Sequence, residues 1–186
     1  MHFGTTSRMS NFKIKTTSLI GAELIEVKEH KDGRGLFARY FCDKELEGLL
    51  DGKKIVNINY SKSKKKGTLR GLHFQLEPSC EKKFVRCISG GIYDVIVDLR
   101  PDSKTFLKWY GVELSSSNRC MLYVPEGFAH GYQTLSDDSE VMYFVTEYYM
   151  PENEAGLRFD DANIGINWPL DISEISEKDK MFDDYI

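Results

Sequence analysis

An all-β fold, an antiparallel sandwich or barrel, is what this sequence predicts, and three observations carry the prediction. From Lys83 onward, short strand-like runs are broken by turn chemistry at Ser89-Gly90-Gly91, Arg100-Pro101-Asp102-Ser103, Ser115-Ser116-Ser117-Asn118, Pro125-Glu126-Gly127 and Ser136-Asp137-Asp138-Ser139. Tyr93, Val95, Val97 and Leu99 alternate with Ile92, Asp94, Ile96 and Asp98, a period of two. Only one stretch reads as a helix. Many short strands with almost no helix leave a sandwich or a barrel as the way to bury an apolar face.

In chain order, residues 1–10 are polar and patternless, and are read as a disordered tail or as the stretch before an alternative start at Met9. Residues 14–27 mix Ile, Leu, Thr and Val with polar residues and predict one or two strands around Gly21. Lys31-Asp32-Gly33-Arg34-Gly35 supplies a reversal, since Asp-Gly tolerates the backbone angles of a tight turn, and residues 36–41 form the next strand. Asp43 is placed to cap the one helix, with Leu46, Leu49 and Leu50 on a face and Gly52 at its end; Gly48 weakens it from within. Four lysines in residues 61–66 read as a solvated loop. With no repeat, linker or low-complexity segment, residues 1–186 are read as a single domain.

Composition narrows the function. A chain of 186 residues with 41% hydrophobic residues can bury a real core, and a formal charge of -4 makes nucleic acid an unfavourable partner. Small anionic ligands remain open. Cys42, Cys80, Cys87 and Cys120 lack zinc-site spacing and are read as free thiols. The N-terminal segment shows no apolar signal core and no run is long enough for a bilayer, which points to the cytoplasm and to no membrane partner.

The chemistry concentrates in Arg70-Gly71-Leu72-His73-Phe74-Gln75 and Lys83-Phe84-Val85-Arg86. A neutral histidine can take a proton from carbon, a lysine can stabilise a negative oxygen, and Arg70 or Arg86 can grip a phosphate. Arg70 and His73 would lie on opposite faces of a regular strand, so for both to meet one ligand the strand must end or bulge between them. In residues 141–149, Tyr143, Val145, Glu147 and Tyr149 share one face, which suits either a cavity wall with an acid or an outward face.

These segments, with Tyr93-Asp-Val-Ile-Val-Asp-Leu-Arg100, Pro125-Glu-Gly-Phe-Ala-His-Gly131, Glu140-Val-Met-Tyr143, Glu147-Tyr-Tyr149, Ile164-Gly-Ile-Asn-Trp-Pro169 and Ser176-Glu-Lys-Asp179, closely resemble the dTDP-4-dehydrorhamnose 3,5-epimerase family. The resemblance runs in order from Gly21 to Asp179. It implies a cupin-type jelly roll with short peripheral helices, a homodimer, no cofactor and no metal, and a nucleotide-linked 4-keto-6-deoxy sugar as substrate. By the same resemblance His73 is the general base, Asp179 the carboxylate that orients it, Tyr143 the acid on the other side and Lys83 the enolate stabiliser. His130 would lie close to the sugar and Arg70 at the diphosphate. Arg34, Asn59, Glu154 and Lys178 match further ligand-binding positions, and Tyr149 an aromatic that stacks on the base. Such a set is what the chemistry needs: a C–H beside a ketone is acidic only when its enolate is stabilised, and inversion needs a base and an acid on opposite faces.

Two departures bear on the nucleotide. Arg39 stands where thymidine enzymes of the family commonly have a glutamate, and Asn57, also a substrate-binding candidate, stands for a glutamine. A CDP-linked substrate, or inversion of C3 or C5 alone, is therefore the alternative. Two other classes stay in view. Cupins with a His-x-His pair and a carboxylate hold iron and act as oxygenases or isomerases, but here the segment is His73-Phe74-Gln75. A sugar-binding protein without catalysis is the other, and the complete set of His73, Lys83, Tyr143 and Asp179 argues against it.

Overall fold

A computed structural model describes residues 10–185 of the chain; residues 1–9, most of the expected tail, lie outside the described residues. Its thirteen strands are β1 (Phe12–Thr16), β2 (Glu23–Val27), β3 (Glu29–Asp32), β4 (Gly35–Ala38), β5 (Asn57–Ser63), β6 (Leu69–Gln75), β7 (Lys83–Ser89), β8 (Gly91–Asp98), β9 (Trp109–Ser115), β10 (Met121–Val124), β11 (Phe128–Thr134), β12 (Ser139–Val145) and β13 (Glu154–Gly156). Two one-turn helices, α1 (Glu47–Leu50) and α2 (Glu177–Lys180), complete the elements used below. A six-stranded sheet in the order β1-β2-β10-β7-β12-β5 faces a five-stranded sheet in the order β13-β6-β11-β8-β9, and β3 with β4 forms a separate hairpin. Every named pairing is antiparallel. The all-β expectation holds, in the jelly-roll form.

Alternation along each strand sorts side chains into three apolar layers. Val85 and Cys87 of β7, Ile92 and Ile96 of β8, Leu122 of β10 and Val141 of β12 meet between the sheets. Phe84, Tyr123 and Phe144 face away, under a cover formed by residues 40–55, with Leu46 and Leu50 fully sequestered. On the far side, Leu72, Val95, Val97 and Ala129 are covered by Leu157, Ile164 and Trp168. The period of two read at residues 92–99 therefore marks two buried faces rather than one wet and one dry. Each fully buried aliphatic or aromatic side chain contributes about 2 kcal/mol.

The helix differs from the expectation. It is confined to Glu47–Leu50, its N-cap position is Leu46 without a side-chain cap, and the Asp43 carboxylate accepts from the neighbouring Lys44 N–H at 2.8 Å. Instead, Leu46 N–H donates to the Cys42 carbonyl, so a turn leads in. Tertiary contacts hold the segment: Leu46 and Leu50 are buried, Lys82 Nζ donates to the Leu49 and Leu50 carbonyls at 3.2 and 2.9 Å, and the Tyr123 hydroxyl donates to Leu49 O at 2.8 Å. Likewise the strand expected at 36–41 stops at Ala38, because Tyr40 turns under Arg86 and Phe41 stacks on Phe144.

Candidate active site

The open end of the sandwich, between β5, β7 and β12 on one side and β6 and β11 on the other, holds two adjoining cavities of about 950 and 360 Å³. What brings the right residues into them begins on β6. His73 pairs with His130 and Arg70 with Tyr132, so β6 carries one residue more than β11 between those pairs. Of the strand end or bulge that a shared ligand would require, the bulge is what occurs, and Arg70 and His73 line the same cavity. Gly71 makes it feasible: its φ is +109, and a Cβ there would stand 2.6 Å from Gly131 Cα.

Asp179 comes from α2, where the Ser176 hydroxyl accepts its backbone N–H at 3.0 Å and caps the turn. One Asp179 oxygen takes the Gly71 N–H at 3.0 Å and the other meets His73 Nε2 at 2.9 Å. Burial pushes this carboxyl up, but the His73 and Gly71 hydrogen bonds outweigh it and hold it below its ordinary value of 3.8. Asp179 is thus an anion facing one side of the imidazole.

Lys83 projects inward from β7 and pairs with Glu81 at 2.8 Å; both side chains are 11% exposed. Tyr143, directly across from Asn59 and Val85, projects inward from β12, and burial pushes its phenol above 10, so it stays protonated at neutral pH. His73, Lys83 and Tyr143 line both cavities and so stand at their junction. Arg70, His130, Lys178 and Asp179 line the larger one, where Arg70 donates to Ser63 Oγ at 3.1 Å. Asn57, Asn59, Tyr149 and Glu154 line the smaller, with the Tyr149 hydroxyl donating to Glu154 and Lys178 Nζ joining the same carboxylate, each at 2.6 Å. Val145 and Glu147 line it too, so the face shared with Tyr143 and Tyr149 is a cavity wall.

Three arginines fall elsewhere. Arg34, at the β3–β4 turn, is paired with Asp32, is 91% exposed and lines neither cavity. Arg86 alternates with Lys83 and Val85 to the outer face of β7 and lies 3.2 Å from the Tyr40 ring centroid, which removes it as a phosphate ligand. Arg39 pairs with Glu45 and also stays outside both cavities.

Sequence reasoning missed two partners. Asp94, fully buried, hydrogen-bonds His130 Nε2 at 2.8 Å, so a second histidine–carboxylate pair faces the larger cavity. An acid amid Ile92, Tyr93, Val95, Ile96 and Val97 was the available signal. Glu81 carried none, being one charge among several beside Lys82 and Lys83. As for a metal, Gln75 commits its amide to the Ser79 and Tyr148 carbonyls, and no group of three His, Cys, Asp or Glu suited to hold an ion occurs among the described residues.

A profile of the family described as dTDP-4-dehydrorhamnose 3,5-epimerase matches residues 16–185. A dTDP-4-dehydrorhamnose 3,5-epimerase of Shigella flexneri is 45% identical over 158 residues, 84% of this chain and 86% of that protein. The crystal structure of dTDP-4-dehydrorhamnose 3,5-epimerase from Bacillus anthracis with TDP and PPi bound superposes with a TM-score of 0.90 at 41% identity, covering 94% of this chain and 99% of that one. A Legionella pneumophila dTDP-6-deoxy-D-glucose-3,5-epimerase in complex with dTDP-4-keto-L-rhamnose gives 0.85 at 38% identity, covering 90% and 89%.

Proposed function

Because this chain belongs to the dTDP-4-dehydrorhamnose 3,5-epimerase family, it is an epimerase of a nucleotide-linked 4-keto-6-deoxy sugar, and we propose that His73, Lys83, Tyr143 and Asp179 carry the reaction. The observation that supports this most is the meeting of His73, Lys83 and Tyr143 at the junction of the two cavities. His73, oriented by the buried Asp179, removes the proton from carbon beside the ketone. Lys83 supports the negative oxygen of the enolate, and Tyr143, protonated and on the opposing sheet, returns a proton to the other face. The larger cavity, with cations at Arg70 and Lys178 and with His130, suits sugar and diphosphate; the smaller, with Asn57, Asn59, Tyr149 and Glu154, suits the base.

The chain acts as a single domain, a reading supported by the apolar layer shared by both sheets. It works as a homodimer, in which Arg34 reaches the ligand of the second copy. Four free cysteines fit a reducing compartment, in line with action in the cytoplasm. Asn57 on the wall of the smaller cavity keeps a CDP-linked substrate as the alternative.

The test is incubation with dTDP- and CDP-linked 4-keto-6-deoxyglucose in deuterated water, with exchange at C3 and C5 followed by NMR. Exchange at both carbons of the dTDP sugar is expected, faster than with the CDP sugar. His73→Asn lowers both rates by about 10²-fold or more, and Asp179→Asn by less because the imidazole remains. Near wild-type exchange by His73→Asn overturns the assignment of the base.

A further inference from the structure

His73 has two cross-strand neighbours whose side chains share its face: His130 on β11 and Gly156 on β13. A side chain at 156 would collide with a ring already there, since a Cβ built on Gly156 would stand 2.2–2.3 Å from three carbons of the Phe182 ring. That ring also meets the His73 imidazole, with centroids 5.7 Å apart and planes at 77°. Phe182 is half-buried, follows α2 by two residues and lines neither cavity. Among the described residues it meets the site through the imidazole.

We propose that Phe182 is a positioning residue for His73, seated in the space that Gly156 leaves open. The hydrogen bond to Asp179 holds one ring nitrogen but leaves rotation about that contact, because the terminal torsion of histidine has broad wells. A second ring packed against the imidazole removes this freedom. Asp179 and Phe182, three residues apart on one short segment, thus fix the nitrogen and the plane together. Gly156 has no conformational need to be glycine here, as its φ is not in the left-handed region. The vacancy is what the pair requires.

The inference rests on His73 being the base, and the experiment separates the two. Phe182→Ala, Phe182→Leu, Gly156→Ala, the double variant Gly156→Ala/Phe182→Ala and His73→Asn are compared for kcat and KM on dTDP-4-keto-6-deoxyglucose. Thermal melts check folding, and ring signals of 13C-histidine-labelled protein report the contact. Phe182→Ala is expected to lower kcat about tenfold, since misplacement of a reacting group by about 1 Å can cost 10²-fold, with KM within about twofold. Its His73 signals move and its His130 signals stay; Phe182→Leu recovers part of kcat. Gly156→Ala, which displaces the ring without removing apolar surface, lowers kcat similarly and adds nothing in the Phe182→Ala background. Wild-type kcat in Phe182→Ala, or additive effects of the two substitutions, overturns the inference while leaving the base assignment intact if His73→Asn is inactive. An active His73→Asn overturns the base assignment itself.

Discussion

Arg70 and His73 stand three residues apart on β6 and face the same cavity, because the extra residue of a bulge at Gly71 returns the strand to the inner face. Gly71→Ala attacks this directly. The new Cβ would lie 2.6 Å from Gly131 Cα and 2.7 Å from the His130 carbonyl oxygen, on backbone that L side chains rarely adopt. Overpacking of this kind costs about 2 kcal/mol or more. Urea unfolding should show that loss, together with an activity loss beyond it, because β6 and β11 must part where both histidines sit. A variant as stable and active as the parent contradicts the account.

Stability should fall in acid through Asp98. This side chain is fully buried and accepts from Arg100 Nε at 2.8 Å, Ser103 Oγ at 2.6 Å and Thr105 Oγ1 at 2.7 Å. Burial pushes its carboxyl up, yet these donors outweigh it and bring it down from 3.8 to about 2. A carboxyl depressed by folding stabilises above its unfolded value, and that contribution disappears as pH falls through the folded one. Asp98→Asn should therefore cost about 2 kcal/mol at pH 7 in urea melts. The gap from the parent should narrow between pH 4 and 2; a constant gap would mean that charge plays no part.

Much of this was legible in the residues. A strand end or a bulge followed from a spacing of three and the demand that both side chains meet one ligand. The strands followed from alternation and turn residues. What escaped was set by contacts between distant segments. The helix shrank because Leu46 and Leu50 answer to the sheet beneath them rather than to an Asp43 cap. Arg70 and Arg86 looked equivalent as cations from the residues alone; the resemblance pointed to Arg70, and the inward or outward phase of β6 and β7 separates them physically. The partnership of His73 with Asp179, across 106 residues, was reached by resemblance and has no local signal. Asp94 differs: an acid inside an apolar strand asks for a partner, and His130 is that partner.

Arg34 tests assembly. The β3–β4 hairpin pairs with neither main sheet, leaves Phe37 64% exposed and carries Arg34 at its turn, while β5 at the edge of the six-stranded sheet shows Ile58 and Tyr60 at 60% and 55%. A second copy would cover such surfaces and shield the free edge. Sedimentation should give a dimer at micromolar concentration. Arg34→Ala should keep the dimer and raise KM on the order of tenfold, the scale of one charge-assisted hydrogen bond. A fully active monomer refutes this.

The two proton transfers can be separated at Tyr143. With His73 as the proposed base, inversion requires that the proton it removes is not the one returned, since one group on one face restores the starting configuration. Tyr143 projects from the sheet opposite His73 and lines both cavities, and burial pushes its phenol above its ordinary value. A phenol in that state can give a proton and cannot readily take one. Tyr143→Phe keeps the ring and removes the donor. Solvent deuterium should still enter the substrate from the His73 side, through enolate formation and return, while inverted product falls by about 10²-fold, the usual contribution of a positioned acid. If exchange and inversion fall together, Tyr143 acts by holding the sugar. If neither falls, water supplies the proton and the role assigned to Tyr143 is lost.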